Sequence, residues 1–212
     1  MPTTIAVDAM GADRAPKPEV EGAILAARHY DVEVVLVGKE SVIQAELDAH
    51  PSWRRRPIRI IPASEVIGMH EKAAQAVRSK RDSSLRVGLR LVRDGRANGF
   101  VTAGNTGAAM ATAKMVLGAL PGVDRPALAA VFPTAQGTAT ILIDVGANVD
   151  SKPQNLQQFA IMGDVYFRTI FAGRFPTAAA RSHGVWVHRD RVLGSRRRRV
   201  PAARLLLSRA RR

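Results

Sequence analysis

The feature that most constrains this chain is a short β-branched run, Val32-Glu33-Val34-Val35-Leu36-Val37, stopped by Gly38. A run so rich in β-branched residues reads as a strand. Its neighbours fit that role. Thr3 to Asp8 reads as a buried strand ending on an acid, and Ala9 to Pro16 is too rich in glycine and proline for a regular element. Pro18 suits the first turn of a helix to about His29, with Val20, Ile24 and Ala27 on one face. Ser41 to Ala49 has helical spacing and Pro57 to Ile61 is a third strand, giving β-α-β-α-β. Alternation of this kind demands an α/β fold: a mostly parallel sheet with helices on both faces.

The alternation continues. Ser83 is a candidate N-cap for a helix with Leu85, Leu89 and Val92 on its apolar face. Gly99 to Ala103 is a strand, Gly104 to Gly107 a tight loop, and Ala108 to Gly118 a small-residue helix. Leu128 to Phe132 and Thr138 to Val145 are two further strands. Pro153 to Ala172 is the longest helix, with Leu156, Phe159, Gly163, Tyr166 and Ile170 on one stripe.

Composition removes several function classes. The 212 residues include no cysteine, so thiolate nucleophiles, disulfides and cysteine metal sites are excluded. No apolar run reaches the roughly 18 residues of a spanning helix, and the N-terminus lacks a secretory pattern, so a cytoplasmic protein is expected. The net charge is +14, but it is unevenly placed. Residues 1–174 carry 21 Lys+Arg against 17 Asp+Glu, whereas residues 175–212 carry 11 Arg and a single acid, Asp190. The body is therefore only mildly basic, and no nucleic-acid partner is expected for it.

In open parallel sheets, ligands sit beyond the carboxyl ends of the strands. Three loops fall there. Asp8-Ala9-Met10-Gly11-Ala12-Asp13 sets two carboxylates across a glycine turn; it orients a ligand or is a plain capped turn. Gly104-Asn105-Thr106-Gly107 precedes a helix, where glycines admit an anion to unpaired N–H groups and a positive dipole end. It is neither a Walker loop nor a dinucleotide fingerprint, and structural turn glycines account for it equally well. The third, Asp144-Val145-Gly146-Ala147-Asn148, combines an acid, a glycine turn and an amide at a strand end. Arg78, Lys80 and Arg81 stand just before Ser83 and Ser84, so cations coincide with a helix N-terminus; a solvated basic turn is the plainer reading. His70 and Glu71 have no second histidine at ligand spacing, so no metal site is expected.

Taken together, these segments resemble the bacterial phosphate acyltransferase family over residues 4–173. The resemblance runs through Asp8 to Asp13, Ala63-Ser64-Glu65, Met69-His70-Glu71, Arg78 to Leu85, Ala103 to Ala108, Arg125-Pro126-Ala127 and Asp144 to Asn148. It ends with Lys152-Pro153 and Leu156 to Gly163, all in order along the chain. Two positions depart from it: Ala12 stands where the family usually has glycine, and Ala73 where it usually has proline.

The resemblance implies a fold like that of phosphotransacetylases and isocitrate dehydrogenases. It implies a reaction in which inorganic phosphate attacks the thioester of acyl-acyl carrier protein, releasing acyl phosphate and carrier without a cofactor. It also implies a homodimer associated peripherally with the membrane. On that basis Asn105 and Asn148 are candidate oxyanion donors, with Asp144 the third candidate catalytic residue. Asp8, Gly11, Asp13, Arg78, Lys80, Ser83, Ser84, Gly104, Thr106 and Gly107 are candidates for binding phosphate and substrate. Alternatives are a coenzyme-A-dependent phosphate acyltransferase and, from another class, a nucleic-acid or anionic-membrane binder acting through the basic tail. A dehydrogenase fits least, for want of a Gly-x-Gly-x-x-Gly pattern.

After Gly173 the motifs stop and the arginine block begins, so 175–212 is expected to be a non-homologous tail, disordered or out of frame, on a truncated body. With 26 Arg against 6 Lys, CGN codons are expected. Val187 to Val192, read one base later, then permits Ser-Ile-Gly-x-Glu, which resembles the family's continuation. A frameshift is the expected cause.

Overall fold

The computed structural model describes residues 2–135, 139–146 and 151–171, with the backbone of 177–181 and 184–188. It comprises two compact units, Met1–Gly118 and Ala119–Arg212. That boundary lies inside the stretch 1–174 that sequence motifs keep together.

The first unit is built on four parallel strands: β1 (Thr3–Asp8), β2 (Val32–Gly38), β3 (Ile58–Pro62) and β4 (Gly99–Val101), in the order β3-β2-β1-β4. Register is continuous, with Ile5 opposite Val34 on one side and Gly99 on the other. The crossovers are α1 (Lys17–His29), α2 (Glu40–Asp48), α3 (Ala73–Ser79) and α4 (Ser84–Arg93), and α5 (Thr106–Leu117) follows β4. From Val34 onward β2 is buried on both faces. Val34 and Leu36 pack with Val20, Ala23 and Ala27 of α1 and Ile43 and Leu47 of α2. Val35 and Val37 pack on the opposite face with Ala63, Leu91 and Ala97. Ser83 caps α4, its Oγ accepting from the Arg86 N–H at 3.4 Å. α3 is an element the sequence reading passes over: at seven residues its periodicity is too short to register.

The second unit contains β5 (Ala129–Pro133), β6 (Ala139–Ile143), α6 (Pro153–Phe171), β7 (Thr177–Arg181) and β8 (Gly184–His188). Its sheet, in the order β5-β6-β8-β7, is antiparallel throughout, which alternation along the chain does not foretell. The strands β7 and β8 fall within the stretch where the sequence reading starts a basic tail; the rest of that stretch lies outside the described residues.

α6 also corrects an expectation. Its buried stripe is Asn155, Phe159, Ala160, Gly163 and Phe167, set against Ile141 and Ile143, while Tyr166 and Ile170 are 41% and 56% exposed. Positions 159, 163 and 167 advance by four, so the stripe follows Phe167 rather than its neighbour Tyr166. Among the described residues no helix is long and apolar enough to cross a membrane.

Candidate functional site

Chain order places the site. From β1 the chain builds β2 and β3 on one side, then returns to lay β4 on the other, so the order reverses between β1 and β4. In open parallel sheets ligands sit at such a switch point, beyond the carboxyl ends of the strands. The two loops here are Asp8–Asp13 and Thr102–Gly107.

They meet back to back. Asp8, 1% exposed at the end of β1, accepts a hydrogen bond from the Met10 N–H (3.1 Å) and another from the Thr102 hydroxyl (2.9 Å). The Thr102 Oγ1 in turn accepts from the Gly104 N–H at 3.0 Å. Gly11 and Gly104 lie against one another: a Cβ on Gly104 would stand 3.1 Å from the Gly11 Cα and 3.2 Å from its carbonyl oxygen. A Cβ on Gly11 would strike the Asp8 carboxylate. These glycines are needed for close approach, since neither has a positive φ. Thr102 completes the buried link; its hydroxyl at a strand end was the one signal for it, and it is absent from the candidates above.

Asn105 begins α5. Its Oδ1 accepts from the Ala108 N–H at 3.0 Å, an N-cap. Its amide nitrogen donates to the carbonyls of Gly68 (3.4 Å), Met69 (3.0 Å) and Glu71 (3.0 Å). The side chain is therefore spent on tying the 68–71 loop to α5, and the oxyanion role proposed from sequence has no free amide hydrogen to use. Backbone is better placed: among the described residues, the N–H groups of Asn105, Thr106 and Gly107 make no hydrogen bond within the chain. Thr106 and Gly107 are exposed. Unpaired donors at a helix N-terminus are an arrangement that can cradle an anion.

The same loop is held from its other end. Glu71 Oε1 accepts from the Gly68 N–H (2.7 Å) and the Lys80 ammonium (2.6 Å), and Lys80 also donates to the Val66 carbonyl (2.6 Å). The Gly68 N–H first, then Lys80, hold the Glu71 carboxyl below the ordinary carboxylate range. Lys80 is thus a structural cation here. Ser83 and Ser84 are each 1% exposed, beside the parallel bridge between Glu65 and Ser83; the Ser83 Oγ is taken by the cap of α4, and the buried Ser84 Oγ has no hydrogen-bond partner among the described residues. Arg78 and Asp13 are exposed.

A cavity of about 470 Å³ runs from Asp8 and Thr102 along β1 and β4, lined by Ile5, Val7, Ala26 and Val101. Glu19 borders it; burial, with Asp8 adding its charge, pushes the Glu19 carboxyl above the usual range. Among the described residues, Glu21, Glu46 and His50 gather potential metal-ligand atoms on α1 and beside α2, with His50 Nε2 3.5 Å from Glu46.

In the second unit, Asp144 follows β6 with φ of 72°, a left-handed conformation that aspartate tolerates. It is 8% exposed and accepts from the Ser151 hydroxyl at 3.1 Å. Asn148 lies outside the described residues.

A family model described as "Fatty acid synthesis protein" matches residues 3–185, past the point where the sequence motifs stop. A protein of Koribacter versatilis named phosphate acyltransferase is 72% identical over 185 residues, 87% of this chain and 52% of the relative. One of Acidobacterium capsulatum with the same name is 63% identical over 170 residues, 80% of this chain and 50% of the relative. Another, of Geotalea daltonii, is 48% identical over 180 residues. The chain spans about half the length of the curated relatives it matches. With a match across residues 3–185, in order through both glycine loops, the chain belongs to the fatty acid synthesis protein family whose curated relatives are named phosphate acyltransferases.

Proposed function

We propose that the chain serves phosphate acyl transfer from acyl-acyl carrier protein. A phosphate oxygen attacks the thioester carbonyl carbon, the tetrahedral adduct collapses, the C–S bond breaks, and the departing thiolate takes up a proton. The products are acyl phosphate and free carrier protein. The observation that carries this reading is the set of three outward N–H groups, Asn105 to Gly107, at the switch point of the parallel sheet. A helix N-terminus favours a dianion through its dipole and its unpaired donors together. The Asp8–Thr102–Gly104 chain keeps the cradle rigid, and Gly11 and Gly104 keep side chains off its floor. Asp144 and Asn148 are retained as candidates on the second unit, as the family resemblance implies. The same reading makes the active form a homodimer at the inner face of the membrane, and it assigns no cofactor.

The test is phosphate-dependent acyl phosphate formation from acyl-acyl carrier protein, trapped with hydroxylamine, with the Koribacter versatilis relative as the reference. Thr106→Pro is the informative variant. Proline is tolerated at the first helical position and removes the N–H together with the Thr106 hydroxyl; Thr106→Val, which keeps the N–H and loses only the hydroxyl, separates the two and is expected to leave the phosphate KM near wild type. For Thr106→Pro we expect the KM for phosphate to rise by about tenfold to a hundredfold, the worth of one charge-assisted hydrogen bond, with the carrier KM unchanged. No phosphate-dependent product from the carrier thioester overturns the reading, and equal use of a coenzyme A thioester replaces it with the coenzyme-A-dependent one.

A further inference from the structure

Four arginines converge away from the glycine loops. Arg78 from the last turn of α3, Arg81 from the turn after it, and Arg86 and Arg90 from α4 line a hollow of about 490 Å³, with Met115 of α5 as its apolar member. Arg86 and Arg90 are one helical turn apart and so share a face. Arg54, Arg59 and Arg93 each pair with an acid, whereas among the described residues none of these four lies in a salt bridge. Arg86 turns to the Met115 sulfur at 3.1 Å. Asp82, the acid between them in sequence, gives its carboxylate to the N–H and hydroxyl of Ser64, and Arg90 acts on it only through space. Like charges gathered without counter-charges raise the energy of the free protein and are relieved by an anionic partner.

We propose that this hollow docks the acidic surface of a protein partner, which on the functional reading above is the acyl carrier protein. Arginine's fork binds carboxylates two bonds at a time, and four forks set around an exposed methionine fit a protruding acidic helix. A single inorganic phosphate engages too few of them. A flat bilayer meets a concave rim poorly, and interfacial binding leans on Trp, Phe or Leu anchors beside the basic residues, which this rim lacks. Position supports the assignment. Met115 lies nine residues along α5 from Thr106, about 13 Å at the helical rise, so a docked carrier has its reactive end within reach of the cradle.

The experiment measures binding of acyl carrier protein to the whole chain as a function of salt, for wild type, Arg86→Glu/Arg90→Glu, the matching double lysine variant and Arg81→Glu. Circular dichroism and urea midpoints establish that each variant is folded; Arg81, outside any helix, gives the reversal least able to disturb folding. Wild type is expected to bind with affinity that falls as salt rises. Both glutamate variants are expected to lose at least tenfold, and the lysine variant less, because it keeps charge but loses the fork. Unchanged carrier affinity in the folded glutamate variants overturns the proposal. So does arginine-dependent binding of anionic vesicles, or of inorganic phosphate alone, without carrier binding. The reaction fails separately: arginine-dependent carrier binding without acyl phosphate formation leaves the docking surface standing and removes the transfer reading.

Discussion

Ala12 and Ala73 stand where the resemblance leads one to expect glycine and proline, and the structure accounts for both. Ala12 does not have a positive φ, so the glycine loop closes without it being glycine. Ala73 is the first residue of α3, after Lys72 in extended conformation at φ −66° and ψ 110°. That is where proline is pre-set for a helix and its predecessor is compatible. Ala73→Pro is expected to stabilise the chain by about 0.4–1 kcal/mol, read as a higher urea midpoint. Gly104 is the opposite case. Its added Cβ meets backbone at 3.1 Å, which cannot rotate aside, so Gly104→Ala is expected to cost about 1–3 kcal/mol and to open the Asp8–Thr102 link. The glycines of both loops were legible in the sequence as loop residues at strand ends. Their packing against each other was not, because residues 11 and 104 are brought together only by strand pairing.

At the scale of elements, α5 shows how one side chain serves two purposes. Asn105 caps the helix with its oxygen and holds the 68–71 loop with its nitrogen. Asn105→Asp keeps the cap and loses the donors, whereas Asn105→Ala loses both. The alanine variant is expected to lose about 1 kcal/mol more in α5. In both variants, hydrogen exchange of the 68–71 loop is expected to rise. The capping residue of α4 could be read in advance, since Ser83 announces itself locally, whereas the helix after Gly104–Gly107 was expected from Ala108 and its cap, Asn105, was not foreseen. The contacts of Asn105, Lys80, Ser83 and Ser84 could not be read locally: a lysine or serine near a helix start looks the same whether it faces an anion or a carbonyl. Lys80 spans from position 80 to Glu71 and Val66, a contact no local pattern encodes.

Across the whole molecule, carboxylates pull in two directions with pH. Hydrogen bonds from Ser64 lower the Asp82 carboxyl, and those from Gly68 and Lys80 lower Glu71. Unfolded, these groups take up protons sooner as pH falls, so the stability they supply is present above their ordinary range, about pH 4, and is lost as pH drops through the lowered folded values. Glu19 is raised, so the folded state holds its proton longer and its contribution declines as pH rises from the ordinary glutamate value. Urea midpoints are expected to fall below about pH 4, and Glu19→Gln is expected to remove the decline on the other side. At this scale the reading frame is also testable. Resequencing from codon 160 onward is expected to show a single-base shift that restores Ser-Ile-Gly-x-Glu after the matched residues, which end at 185.

Sequence alone determined the α/β class, the β-branched run of β2, the starts of α1, α4 and α6 and the family, because periodicity, turn chemistry and ordered motifs are written among near neighbours. Tertiary structure decided the rest. It placed the chain reversal between β1 and β4, which aims two distant loops at one crevice, and it put β5 to β8 in an antiparallel sheet of their own. It also chose Phe167 over Tyr166 for the buried face of α6. Each of these depends on which strands pair and which surfaces meet, and pairing between remote residues is settled by burial of the whole chain and by no local segment of it.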